Sequence, residues 1–295
     1  MHFQELSFEQ SLSIKYYGLF IEGFQGIELN NLETLADFEC KKLLNHPPQL
    51  QNAVGNSMLK YEISKHHNIK ENNILIRSNI YDILNSFEET KKSLEIELPS
   101  DIYTNEQIIN YINKLILKDK YYYFIDNIGL DVSKIKQKNL IIFSSIKELF
   151  GIKGLGICWA IFLDEQLRDK FFNLYQKNGP ANSVFSEIMS IIAFRNSVYI
   201  KKINESILKK NFKYLQKFLT ESKIFDSNIN LLKNYAQLRF KDERLVSDLL
   251  ISARKKEGIL LEKCTEKSFY IHFGQDNFKQ QLEILSNFIQ HYKLY

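Results

Sequence analysis

Apolar and polar positions change their spacing repeatedly along the chain, and each change marks an element. Residues 55–67 are expected to form a helix, followed by a polar loop over 68–73 and a short buried strand at Ile74, Leu75 and Ile76. Ser78-Asn79 then opens a second predicted helix over 80–87. Residues 94–98 alternate as a strand with one solvated face. Thr104 caps a helix on which Ile108, Ile109, Ile112, Leu115 and Ile116 share a side. Residues 122–125 and the apolar run from Leu140 read as strands again. Strand and helix in this rhythm predict a mainly parallel sheet wrapped by helices through right-handed crossovers.

After Leu163 the pattern lengthens into helices over 164–177, 182–193 and 199–222. A strand at 235–240, a helix at 242–257, strands at 258–261 and 269–273 and a closing helix from Asp276 follow. No repeat or Pro/Gly-rich linker divides the chain, which has only four prolines, so the boundary has to come from the order of elements. That order predicts a large domain over 45–163 and a smaller one from 1–44 with 164–295.

Composition narrows the class without naming a chemistry. At 295 residues, 44% hydrophobic and 25% charged, the chain has ample material for a core. Its net charge of +4 is spread over lysine pairs such as Lys41-Lys42 and Lys201-Lys202 with acids between them, which predicts a solvated surface and no nucleic-acid groove. Cys40, Cys158 and Cys264 are too widely spaced for a disulfide framework or a metal site and are expected to be reduced. A polar start, and no apolar run near the ~18 residues of a membrane helix, predict a cytoplasmic protein without a membrane segment.

Candidate chemistry gathers at two strand ends. Asp126 closes one apolar strand, and Lys147 lies just past the next, before the turn Gly151-Ile152-Lys153-Gly154-Leu155. A carboxylate and an amine at the C-terminal ends of neighbouring strands suit pyridoxal phosphate (PLP): the acid keeps the pyridine nitrogen protonated and the amine holds the aldehyde. The six histidines are scattered, and His66-His67 are expected on a solvated helix.

The words Tyr121-Tyr122-Tyr123-Phe124-Ile125-Asp126-Asn127, Phe143-Ser144-Ser145-Ile146-Lys147 and Gly154-Leu155-Gly156-Ile157-Cys158-Trp159-Ala160 resemble, in order, the core of the class I/II (fold-type I) PLP-dependent aminotransferases. The branch of histidinol-phosphate aminotransferases and related amino-acid decarboxylases is the most similar, and the resemblance runs from about Gly26 to the end. It implies an α/β large domain, here truncated, with a smaller α+β C-terminal domain. It also implies a homodimer acting on a small amino acid or amine by transamination, decarboxylation or elimination at Cα.

The resemblance assigns roles residue by residue. Asp126 takes the place of the acid at the pyridine nitrogen, although it could equally cap the turn after its strand. Ser78 and Asn79 match the loop that receives the phosphate, or form a plain helix cap, and Ser144 or Ser145 would donate to the same phosphate. For Lys147 two readings stand open. Either the turn has one extra residue and Lys147 is the Schiff-base lysine, or the lysine is lost, because three residues before Gly151 stands Glu148.

Departures are numerous. The family's phosphate arginine is Gly156, and the arginine for the substrate carboxylate falls on Tyr270. Its motif tyrosine is Gly129, and the asparagine beside the ring hydroxyl falls near Asp101, whose charge would repel a phenolate. Only residues 88–93 separate Phe87 from Leu94, where the family inserts a long passage that supplies an aromatic wall. The persistence of Asp126 together with the Ser-Ser-x-Lys turn favours a shortened PLP enzyme, and the alternative is a cofactor-free protein of the same fold that serves as a pseudoenzyme, a binding partner or a repurposed enzyme.

Overall fold

The computed structural model describes residues 17–18, 29–45, 55–79, 83–84, 93–98, 104–117, 121–152, 154–178, 182–230, 234–241, 249, 251 and 259–291. The chain divides into two compact units, Phe24–Asn204 and Met1–Gly23 with Glu205–Tyr295. This cut falls within a long helix, whereas the change of sequence pattern placed one at 163/164. Asp101 and most of the predicted helices over 80–87 and 242–257 lie outside the described residues.

The first unit is built on a five-stranded sheet. Its strands are β2 (Ile74–Arg77), β3 (Ser93–Glu95), β4 (Tyr121–Ile125), β5 (Leu140–Ser145) and β6 (Cys158–Phe162), in the order β2-β6-β5-β4-β3. β3, β4 and β5 pair in parallel, while β6 runs antiparallel to both β5 and β2, so four of the five strands point the same way. The mainly parallel sheet expected from the sequence is therefore present. β5 and β6 are covered on both faces, which is why residues 140–143 and 158–162 are unbroken apolar runs.

Each face has its own helices. Leu75, Ile141, Phe143, Ala160 and Phe162 form one face, against Leu167, Phe171 and Tyr175 spaced four apart on α6 (Glu165–Asn178). On the other face Trp159 meets α3 (Ser57–His67) and α7 (Val184–Arg195), through His67 and Phe194. Trp159 is fully buried, and a large apolar side chain so placed contributes ~1.5–3 kcal/mol.

Local signals set the helix ends. Asn56 accepts from the amides of Met58 and Leu59 to start α3, and left-handed Asn68 ends it. Thr104 and Gln107 form a capping box at α4 (Asn105–Lys114). α2 (Phe38–Leu44) is tied to α7 by Arg195, whose guanidinium reaches Asp37 at 2.6 Å, Glu39 at 2.9 Å and, in α3, Glu62 at 2.7 Å, while Asn196 donates to Leu35 O, just past α1 (Leu29–Thr34), at 3.3 Å.

The second unit carries the antiparallel sheet β10-β11-β8-β7, from β7 (Phe225–Asn230), β8 (Tyr235–Phe240), β10 (Glu262–Thr265) and β11 (Ser268–His272). β1 (Tyr17–Gly18) pairs in parallel with β9 (Ile259–Leu260). Phe225, Leu238, Phe240 and Phe269 pack with Leu215 of α8 (Ser197–Ser222) and Leu285 of α9 (Phe278–His291). Among the described residues no helix is long and apolar enough to cross a membrane.

Candidate functional site

Because β2, β4 and β5 run in one direction, the residues that follow them emerge at one edge of the sheet. Ser78-Asn79 follow β2, Asp126 follows β4, and α5 (Ile146–Phe150), with Lys147, follows β5. The C-terminal edge of such a sheet is where α/β proteins place ligands. Within this edge Asp126 is the most constrained residue.

The Asp126 carboxylate is fully buried and works as the cap of its own turn. Oδ1 accepts from the amides of Ile128 (2.9 Å) and Gly129 (3.0 Å), and Oδ2 accepts from Leu130 (2.8 Å). Its backbone N–H donates to Phe143 O at 2.7 Å, and the buried Ser144 hydroxyl donates to its carbonyl at 2.6 Å. The turn is thereby fastened to β5.

His67 closes the arrangement from α3. Its Nδ1 lies 3.1 Å from Leu130 O and 3.6 Å from Asp126 Oδ2, and Trp159 Nε1 donates to its Nε2 at 3.3 Å. An indole N–H can only donate, so Nε2 carries a lone pair, Nδ1 carries the proton, and the ring is neutral. Burial acts in the same direction and pushes the His67 pKa down, against the pull of Asp126. The contact is a neutral histidine beside a carboxylate.

His66 lies in an aromatic cage of Phe194 (5.3 Å between ring centres), Phe150 (6.0 Å) and His67 (5.1 Å). Its buried Nε2 has no hydrogen-bond partner among the described residues and abuts Gly129. Burial lowers its pKa to about 3. The solvated helix expected for His66-His67 is therefore corrected: the last turn of α3 faces the core. Both rings stay neutral in the folded protein while the unfolded chain takes up protons below 6.5, so stability is whole above that pH. Acidification from there towards 3 is expected to lower the urea midpoint, and a midpoint flat from pH 7 to 5 would contradict these two burials.

Lys147 and Glu148 sit in the first turn of α5. Ser145 caps this helix by accepting from Glu148 N at 3.0 Å, and Gly151 ends it with a regular bond to Lys147 O at 2.8 Å. Lys147 and Glu148 thus stand side by side on one regular helical turn, four and three positions before Gly151. The Lys147 ammonium is 4.0 Å from the Glu148 carboxylate, and its side chain is 40% exposed.

Ser78 and Asn79 are exposed, and the Gly156 turn lies beside Ser78. Gly156 has φ +58°, a left-handed backbone in which an arginine would be strained. Tyr270 belongs to β11 of the other unit, where its ring packs 4.9 Å from that of Tyr235. Among the described residues no group of His, Cys, Asp or Glu could hold a metal ion.

The chain aligns with solved structures over nearly its whole length. A PLP-dependent aminotransferase from Streptococcus suis matches with a TM-score of 0.76 at 14% identity, covering 97% of this chain and 96% of that one. The alanine aminotransferase of Pyrococcus furiosus gives 0.72 at 12% identity, covering 96% and 94%, and a PLP-bound C–S lyase of Staphylococcus hominis gives 0.70 at 12%, covering 96% and 93%. The fold is that of the PLP-dependent aminotransferases. No protein-family model matches the sequence, and no curated protein matches it.

Within this aminotransferase fold the structure joins Asp126, Ser144, His67 and Trp159 into one buried network, while Ser78, Asn79 and Lys147 are at least partly exposed. The sequence reading missed His67 and Trp159. A signal was present: Leu59, Ile63 and His67 are spaced four apart, which puts the histidine on the apolar stripe of its helix.

Proposed function

We propose that this chain is a cofactor-free member of the aminotransferase fold, a pseudoenzyme in which the PLP edge has been converted to packing. The observation that carries this reading is the Asp126 carboxylate. A carboxylate offers about four lone-pair positions; three meet backbone amides, and the remaining side faces His67. A pyridinium would have to displace one of them.

The other donors point the same way. Ser144 donates its proton to the Asp126 carbonyl, which commits one of the two hydroxyls that could have met a phosphate, while Ser145 is held as the accepting cap of α5. Gly156 offers no guanidinium, and Glu148 occupies the position counted for the lysine. This set does not fit the cofactor, so the reading assigns it no step. A second reading, a PLP enzyme acting at the Cα of an amino acid or amine, is favoured by Lys147, whose partly exposed amine follows β5 at the same edge, and by the PLP-dependent enzymes that share the fold.

The two readings separate in one experiment. Purified protein is mixed with PLP, scanned for the absorbance of lysine-bound PLP, reduced with borohydride and mapped by peptide mass spectrometry. The expected result is a weak label scattered over surface lysines and unchanged in Lys147→Ala. A band that depends on Lys147, with label concentrated there, would overturn the cofactor-free reading.

A further inference from the structure

Away from the Asp126 network, the first unit buries a second carboxyl group. Glu187 lies in the first turn of α7 and is fully buried. Its Oε1 accepts from Asn182 Nδ2 at 3.0 Å and from Asn56 N at 3.3 Å. Its Oε2 has no hydrogen-bond partner among the described residues, and neither has Asn182 Oδ1. The orientation of the amide is fixed independently, because Nδ2 also donates to Ile76 O at 3.4 Å and a flipped amide would set two oxygens against each other.

Two orphaned acceptors thus belong to the two side chains that already share one hydrogen bond. A buried acceptor without a donor is costly, and here a single proton would serve both. We propose that Glu187 is held as the neutral acid, with its Oε2 proton donated to Asn182 Oδ1, so that the two side chains close a ring of two hydrogen bonds. Burial supports this by pushing the Glu187 pKa up. The charged group facing it is Lys60 of α3, with Glu71 beyond. The Lys60 ammonium lies 5.0 Å over the Phe172 ring and makes no ion pair with Glu187.

This ring is a pH-sensitive latch. It ties together Asn56 at the start of α3, Ile76 in the strand that leads to Ser78, and the entry to α7. The folded chain holds the proton more tightly than the unfolded chain, so the stabilisation is whole below the ordinary glutamate value of 4.5. It falls as pH rises, by about tenfold in the folding equilibrium per pH unit, until the folded protein's own pKa is passed. The buried histidines act with the opposite sign and only below 6.5, so a variant comparison isolates Glu187.

Glu187→Gln provides that comparison, because a glutamine amide can donate to Asn182 Oδ1 at every pH and keeps the ring closed. Urea midpoints are measured from pH 5 to 9 for both proteins, together with their infrared difference spectrum at neutral pH. The variant should match the wild type at pH 5 and exceed it increasingly as pH rises, and the difference spectrum should show a protonated carboxyl band in the wild type alone. A variant less stable than the wild type at high pH, parallel pH profiles, or no such band would overturn the proposal. The first of these would mean that Glu187 is charged and is held by Lys60.

Discussion

Asp126→Ala is expected to destabilise the first unit by about 3–5 kcal/mol, since it strips an acceptor from three amides of the 128–130 turn. Each buried donor left unmade costs ~1–3 kcal/mol, and the more exposed ones recover part of that from water. Asp126→Asn is expected to fall between, because one oxygen can still serve Ile128 and Gly129 while the new NH2 opposes Leu130 N–H. Urea unfolding of the three proteins gives the ranking directly. A residue kept for a cofactor would behave otherwise, losing function and leaving the midpoint in place. An Asp126→Ala protein as stable as the wild type would remove the main support for reading this edge as packing.

The second large effect is expected three residues on. Gly129 has φ +78°, and a Cβ there would overlap His66 Nε2, so Gly129→Ala meets both a left-handed backbone and an occupied space. The backbone alone costs roughly 1–2 kcal/mol, and moving a caged ring adds to it, for a total of about 3 kcal/mol. The two parts can be told apart by a double-mutant cycle. Combined with His66→Ala, the Gly129 substitution should cost less than it does alone, with a coupling of about 1 kcal/mol between neighbours in contact. Thermal or urea midpoints checked against that cycle would refute the argument if Gly129→Ala sat within about 0.5 kcal/mol of the wild type.

Much of the architecture was legible because its signals are local and periodic. The buried runs of β5 and β6, the stripe of α4 and the caps at Thr104 and Asn56 are each set by near neighbours in sequence. β7 was missed because it is an edge strand, with Asp226, Ser227 and Asn228 exposed, so no apolar alternation marks it. At the site, the strand ends could be read but the allegiance of their side chains could not. Asp126 looks the same in sequence whether its carboxylate faces a ligand or the amides of its own turn. That choice depends on His67 and Ser144, which reach it from a helix and a strand, and on Trp159, which holds His67 in place.

The reversed strand β6 also decides when this sheet can exist. It lies between β2 and β5 and is the last of the five to appear in the chain, so Ile74 waits for Ile161 before it finds a partner. A nascent chain that ends before Cys158 can already pair β3, β4 and β5, yet β2, with the Ser78 turn behind it, has no described strand to join. Assembly of the edge that carries Ser78, Asp126 and Lys147 is therefore tied to a late, long-range closure, the kind of step that sets the pace of folding.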